Sequence, residues 1–300
     1  MTGDAPEGPD PTQSHPAFLI HGAPGAHGPL VFAVPHAGRD YSPALMERAR
    51  VPRETLSRLE DRLADRLVDG LIAQGHHVLI ARQPRALIDL NRDEREIDLR
   101  AVTGAPWNFR SLTSAKVRGG LGLVPERLTH IGHLWRAPLS YFELRERIEG
   151  VHRPYHAALA ASLAETRRRH GVALLIDIHS MPPLRETPGL AEPPPRVVIG
   201  DRFGRSAADR LTDLCADVIR RQHVPVAINA PYSGNHILER HGRPSAGVHA
   251  IQIELDRSLY LADDLMSVGP GLAAMQRVLS ELALALAQEL AGSAFPLAAE

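Results

Sequence analysis

The stretch Val31-Phe-Ala-Val-Pro-His36-Ala-Gly38 decides how this chain folds. An apolar run with strand character stops at a histidine followed by a turn of small residues. A run without polar alternation marks a strand covered on both faces, as in parallel sheets. The pattern recurs at Val172-Ala-Leu-Leu-Ile-Asp177-Ile-His179-Ser180. Each run delivers an imidazole to a strand end. Ligands of open α/β sheets bind at strand ends and in the loops that follow. Two imidazoles converging there with a carboxylate would form a metal site.

Outward from these runs, the same pattern predicts strands over Leu30 to Pro35, His77 to Ala81, Ala86 to Leu90, Val172 to Ile178, Arg196 to Gly200, Pro225 to Asn229 and Val248 to Leu255. Leu56, Leu59, Leu63, Leu67 and Leu71 recur at three- and four-residue steps and predict a helix over Glu54 to Ala73, closed by Gly75. Further helices are expected over Tyr141 to Arg169, with Pro154 as a point of division, over Ser206 to Arg221 and over Pro270 to Leu290. Residues Asp93 to Pro125 carry charges and glycines without a period and read as a long functional loop with short elements. Met181 to Pro195 reads as a Pro-rich loop and Pro231 to Pro244 as a glycine-containing one. Alternating strands and helices indicate an α/β fold: three layers, with a mostly parallel mixed sheet and helices on both faces. No repeat or linker divides it. One domain is expected over residues 17–292, between an N-terminal tail over 1–16 and a C-terminal tail over 293–300.

Composition narrows the function classes. The formal net charge is −1 and the pI is near 7.0, without the basic footprint of a nucleic-acid binder. Arg167-Arg168-Arg169 falls at a predicted helix end, where it complements the dipole. Cys215 is the sole cysteine, so no intrachain disulfide and no cysteine-based zinc site can form. It reads as a buried thiol on a helix. No apolar run reaches bilayer length, and Met1 to Pro16 lacks the apolar core of a signal peptide. A soluble cytoplasmic protein, without nucleic-acid or membrane partners, is the expectation.

Of the 16 histidines, His36 and His179 stand out by position. His76, His77, His152, His156 and His170 lie in helix or helix-end contexts and read as structural. The first acidic cluster after His36 offers Glu60, Asp61 and Asp65. On a helical wheel Asp61 and Asp65 share a face opposite the leucines, while Glu60 lies nearer the apolar stripe. A solvated face has the same pattern, and spacing alone does not choose the ligand. Asn91-Arg92 follows a strand and suits a substrate carboxylate. The plainer reading is an ion pair of Arg92 with Asp93, Glu94 or Glu96. On Val248 to Leu255, Gln252 and Glu254 share a face, with His249 on the opposite one. A glutamate on a central strand is costly unless paired or working, and a general base is such work. Asp177, on the face of His179, is placed to orient that imidazole.

Together, Val34-Pro-His-Ala-Gly38, Glu60-Asp61 with Asp65, Ile88-Asp-Leu-Asn-Arg92, Asp177-Ile-His-Ser180 and Gly247-Val-His-Ala-Ile-Gln-Ile-Glu-Leu255 resemble the N-formylglutamate amidohydrolase (deformylase) family. They occur in family order across roughly residues 17 to 292. That family is similar in fold to zinc carboxypeptidases and aspartoacylase-like deacylases. The resemblance implies one zinc ion, or another divalent metal, held by His36, Asp61 and His179. It implies Glu254 as general base and acid, and Asn91 and Arg92 holding the carboxylate of a small anionic N-acyl amino acid. Tyr232 and Arg240 fall in the place of a substrate-facing loop. The implied activity is hydrolysis of N-formylglutamate to formate and glutamate. Asp93 to Asp98 and the loop around Tyr232 depart from the family pattern where substrate is expected. A different N-acyl or peptide amidase, and a carboxylate-binding protein without catalysis, are the rival readings.

Overall fold

The structure is a computed structural model that describes residues 16–185 and 193–292. The tails expected over 1–16 and 293–300 lie, apart from residue 16, outside the described residues. So does part of the Pro-rich loop.

The main sheet has seven strands. In chain order they are β1 (Phe18–His21), β2 (Leu30–Val34), β3 (His77–Ala81), β4 (Ala173–Met181), β5 (Val197–Gly200), β6 (Val226–Ile228) and β7 (Val248–Asp256). Their spatial order is β1-β3-β2-β4-β7-β5-β6. Pairs β3–β2, β2–β4, β4–β7 and β5–β6 are parallel, while β1–β3 and β7–β5 are antiparallel. This is the mostly parallel mixed sheet expected from the apolar runs.

Side chains leave β2 and β4 alternately into two cores, as a strand's period of two requires. Leu30, Phe32, Val34, Leu174, Ile176 and Ile178 pack on one face, with Leu211, Cys215, Leu279, Leu282 and Leu286. Those partners come from helices Asp209–Arg221 and Leu272–Gly292. Val31, Ala33 and Leu175 pack on the other face with Tyr155, Leu159 and Leu163, from helix Arg153–His170. Full burial on both faces explains the lack of alternation. The chain leaves β2 toward β3 and returns past β2 to enter β4, so these two strands flank the point where the strand order reverses. Crevices form at such points.

The expected helix over Glu54 to Ala73 is broken. Helix Arg53–Leu56 and a 3-10 turn at Ser57–Leu59 precede a non-helical step, and short helices follow at Ala64–Leu67 and Asp69–Ala73. Leu63 sits in the left-handed region at φ 56°, and Asp61 N–H donates to His36 O at 3.0 Å instead of continuing a helix. Leu56, Leu59, Leu67 and Leu71 are still buried, but in separate cores, and Leu63 is partly buried. Leu56 and Leu59 join a small cluster with Ala49, Ala86 and Leu134, whereas Leu67 and Leu71 join the main one. The stripe therefore reported burial correctly and continuity wrongly.

Two other expectations change. Residues 86–90 are turns and not a strand. Leu87 N–H donates to Pro84 O at 2.8 Å and Asp89 Oδ1 accepts from Asn91 N–H at 2.8 Å, local bonds that compete with a ladder. The helix begun at Tyr141 stays continuous through a π-turn at Ile148–His152 before Arg153–His170. Arg153 N–H there donates to Ile148 O, five residues back. Pro154 has no N–H to give, and the widened turn accommodates it. Segment 93–125 holds only short elements, as expected, but it also has a core in which Ile97, Val102, Leu123 and Val124 pack with Leu139 and Leu144.

Candidate functional site

The sheet register assembles the site. Parallel pairing of β4 with β7 sets Glu254 opposite His179 and Gln252 opposite Asp177. His36 follows β2 on the other side of β4. Asp61 is brought in by its N–H bond to His36 O, at the break that the leucine pattern concealed.

His179 Nδ1 lies 3.0 Å from Asp61 Oδ2, and His36 Nδ1 lies 3.5 Å from the same oxygen. The far nitrogens are anchored. His179 Nε2 lies 2.9 Å from Asp177 Oδ2, and His36 Nε2 lies 2.8 Å from Asp89 Oδ1. An ionised carboxylate only accepts, so Nε2 carries the proton in both rings. Nδ1 then faces Asp61 in both. His36 Nδ1 is buried and has no hydrogen-bond partner. One ligand atom each from His36, Asp61 and His179 lies within 4.8 Å of the other two.

Burial opposes the charge of Asp61, but His179 and His36 outweigh it and hold the carboxyl well below its ordinary range. Burial likewise opposes ionisation of Asp89, and Arg85, His36 and Arg92 overcome it. Burial also disfavours a charged His179, yet Asp177 and Asp61 raise its pKa well above that of free imidazole. The surroundings thus favour positive charge between the rings. Two nitrogens and one carboxylate oxygen, each histidine braced by a second carboxylate, fit a divalent transition metal.

Glu254 sits at the edge of this cluster. Burial pushes its pKa up to about 7, against the pull of His179, and Gln252 Nε2 donates to Glu254 Oε1 at 2.8 Å. Glu60 and Asp65 point elsewhere. Glu60 accepts from Tyr41 Oη at 2.6 Å and Arg62 Nη1 at 3.0 Å, and Asp65 pairs in bidentate fashion with Arg39 at 2.7 Å. Of Glu60 and Asp61, between which spacing does not choose, only Asp61 faces the two imidazoles.

The cluster opens on a cavity of about 240 Å³. His36, Asp61, His179 and Glu254 line one part of it; Arg58, Arg85, Arg92, Lys116 and Arg257 supply cations around it. Lys116 makes no ion pair among the described residues. Burial, then Arg92 and Arg85, lower its pKa. Asn91 and Arg92 are both buried and both line the cavity. Asn91 Oδ1 accepts from Ile237 N–H at 2.9 Å. Arg92 donates from Nε to Leu121 O at 3.0 Å and from Nη1 to Asn91 O at 2.9 Å. Its expected surface partners are engaged by others: Asp93 by Arg95, Glu94 by Arg153 and Glu96 by Ser114. Tyr232 lines the cavity, whereas Arg240 is exposed on helix His236–His241 and does not. His249 is buried on the face of β7 opposite Gln252.

Sequence reasoning missed several residues here. Asp89 stood inside a quoted motif, but nothing in its spacing aims it at His36. Arg85 lies four residues before Asp89, on non-helical backbone, and donates to it at 2.8 Å. Arg257, just past β7, donates to Glu60 O and, at 3.2 Å, to Ser180 Oγ. Lys116, on the short helix Ala115–Arg118, and Asn235, just before helix His236–His241, reach the cavity without any local signal.

Fold and site define a class: an α/β protein with a carboxylate-braced His–Asp–His cluster, fit for a divalent cation, beside a cation-lined cavity. The chain belongs to the N-formylglutamate amidohydrolase family, whose family model matches residues 28–261. It is 32% identical over 246 residues to an N-formylglutamate deformylase of Pseudomonas putida, covering 78% of this chain and 82% of that one. A deformylase of Pseudomonas aeruginosa is 30% identical over 247 residues, with the same coverage. The crystal structure of an N-formylglutamate amidohydrolase from Ralstonia eutropha superposes with a TM-score of 0.83 at 31% identity, covering 91% of this chain and 98% of that one. No helix among the described residues is long and apolar enough to cross a membrane.

Proposed function

We propose that this amidohydrolase is a zinc enzyme that cleaves an N-formyl amino acid, with N-formylglutamate as substrate and formate and glutamate as products. The observation that carries the reading is the placement of Glu254 beside the His36–Asp61–His179 cluster on the wall of a cavity rich in cations. His36, Asp61 and His179 would hold the metal. When bound, zinc supplies Lewis acidity and lowers the pKa of water toward about 7.

The chain's own residues supply the rest. Glu254, with a pKa near 7, is poised to take a proton from the attacking water and return it to the departing nitrogen. Asp177 and Asp89 fix the rings of His179 and His36. Arg85 and Arg257, each tethered by a hydrogen bond, present positive charge to the oxygen on which negative charge develops. Lys116, Arg58 and Arg92 favour a substrate with carboxylates, and Asn91 keeps Arg92 and residue 237 in register. Holding the carboxylates converts remote binding energy into orientation of the amide. The charged segment Asp93 to Asp98 pairs largely within itself or with Arg153 and Ser114, and it does not line the cavity. Its departure from the family pattern is therefore no argument against the substrate.

Release of the free amino acid from a panel of N-formyl, N-acetyl and aspartyl amino acids, run beside metal analysis of protein purified without chelator, tests the reading. N-formylglutamate should be turned over fastest, by protein carrying zinc. Preference for an acetyl or peptide substrate would overturn the substrate assignment. Protein that turns over none of the panel, with zinc bound, would overturn the catalytic one.

A further inference from the structure

A second histidine cluster lies behind the cavity wall. His152 closes the π-turn, and His156 follows one helical turn later in Arg153–His170. Histidines at i and i+4 share a helix face and form half of many zinc sites. His236 opens the facing helix, His236–His241. One ligand atom from each of the three lies within 4.8 Å of the other two. None of the three lines the cavity.

Two features point to a ligand. First, His152 Nδ1 and His236 Nε2 are buried atoms with no hydrogen-bond partner, and His152 is 0% exposed. Second, the far nitrogens of the helical pair are fixed. His152 Nε2 lies 2.9 Å from Arg92 O and His156 Nε2 lies 2.9 Å from Leu90 O. A carbonyl only accepts, so both Nε2 atoms carry protons and both Nδ1 atoms keep their lone pairs. Metal-ligating histidines are typically anchored in this way.

We propose that His152, His156 and His236 bind a second divalent transition-metal ion, a structural one. Glu94 Oε1, 3.6 Å from His152 Nδ1, stands at the edge as an oxygen donor, and its side chain is 24% exposed, which gives the ion a way in. Three nitrogens and a carboxylate would fill four positions, the coordination number zinc takes when no position is left open for water. His241 Nε2 donates to His156 Nδ1 at 2.9 Å, and that bond gives way when the ion binds. Because the anchoring carbonyls flank Asn91, the ion would staple residue 236 and the helix to the segment carrying Asn91 and Arg92.

Cobalt(II) titration of chelator-treated protein tests this without any activity measurement. The wild type should bind two ions per chain. A His36→Ala/His179→Ala variant should keep one, with the intense visible bands of a four-coordinate nitrogen-rich site, and its Tm should rise on adding zinc. His236→Gln should lose one ion and those bands. If the double variant binds none while the wild type binds one, the cluster is an ordinary hydrogen-bonded group of imidazoles and the proposal falls. It falls equally if His236→Gln binds as many ions as the wild type. Should either variant not fold, the wild-type count decides: two ions support the site and one overturns it. The count in the double variant does not depend on the first cluster, so failure here leaves the hydrolase reading standing, and the reverse holds too.

Discussion

The two buried histidine clusters of this protein look alike in composition and differ in what braces them. At His36 and His179 the far nitrogens meet the carboxylates of Asp89 and Asp177. At His152 and His156 they meet the backbone carbonyls of Arg92 and Leu90. The first cluster contains an anion, Asp61, and lines a cavity. The second has only imidazoles at its centre, with Glu94 at its edge: burial pushes His236 down to about 4, and His241, hydrogen-bonded to His156, to about 3. Carboxylate braces make an imidazole more basic and can be removed by mutation; carbonyl braces belong to the fold. On the proposals made above, the difference separates a site arranged for chemistry from one arranged for holding the chain.

The sharpest break in the comparison is His179→Ala. It should strip the first site of metal and abolish turnover, and metal analysis with a formate assay will show both. Full turnover with the alanine in place would dismiss the cluster as the centre. Glu254→Gln comes next. Losing a general base costs about 10²–10⁴-fold, and metal content should hold, because Glu254 is not among the three proposed ligands. A similar loss of metal would make it a ligand and not a base. Asp89→Asn and Asp177→Asn should each weaken metal affinity by about 10–100-fold, measured by competition with a chelating dye. No equivalent side-chain substitution exists for the carbonyl-braced cluster.

The pH dependence gives a smaller signal. Glu254 must be ionised to accept a proton, and its pKa is raised to about 7. Activity, kcat/KM, should therefore rise as pH increases through that region, and a bound cation, by favouring the carboxylate, shifts the limb to lower pH. An acid limb that survives in Glu254→Gln would assign it to another group. The smallest effect belongs to Asp65→Asn. It removes a partly exposed pair with Arg39, worth no more than about 1 kcal/mol, and should leave metal content untouched. Metal loss there would mean that Asp65 takes part in holding the ion.

Much of this architecture was legible before any coordinates. The strands at Leu30–Val34, Ala173–Met181 and Val248–Asp256 were readable because burial on both faces leaves an uninterrupted apolar run. Their histidines and Glu254 were readable because polar residues inside such runs need a reason. The leucine series misled because burial is periodic in either state: Leu56 and Leu67 are both wholly buried, but in different cores. The short strand expected at 86–90 failed because Asp89 bonds the backbone of Asn91. The resemblance puts Arg240 on a substrate-facing loop, whereas in the fold it is exposed on helix His236–His241. His152 and His156 read as structural, and the partner that gives them a further meaning, His236, is remote along the chain.

By itself, then, the sequence determined the layered sheet, the strand ends that carry His36 and His179, and a glutamate on a central strand. These are local properties, set by which side chains can be taken out of water. Tertiary structure alone decided that Asp61 and not Glu60 turns inward, that Asp89 braces His36, and that His236 meets the helical histidines. Those choices depend on direction and on contacts between distant segments, and residue spacing carries no direction once the backbone leaves the helix.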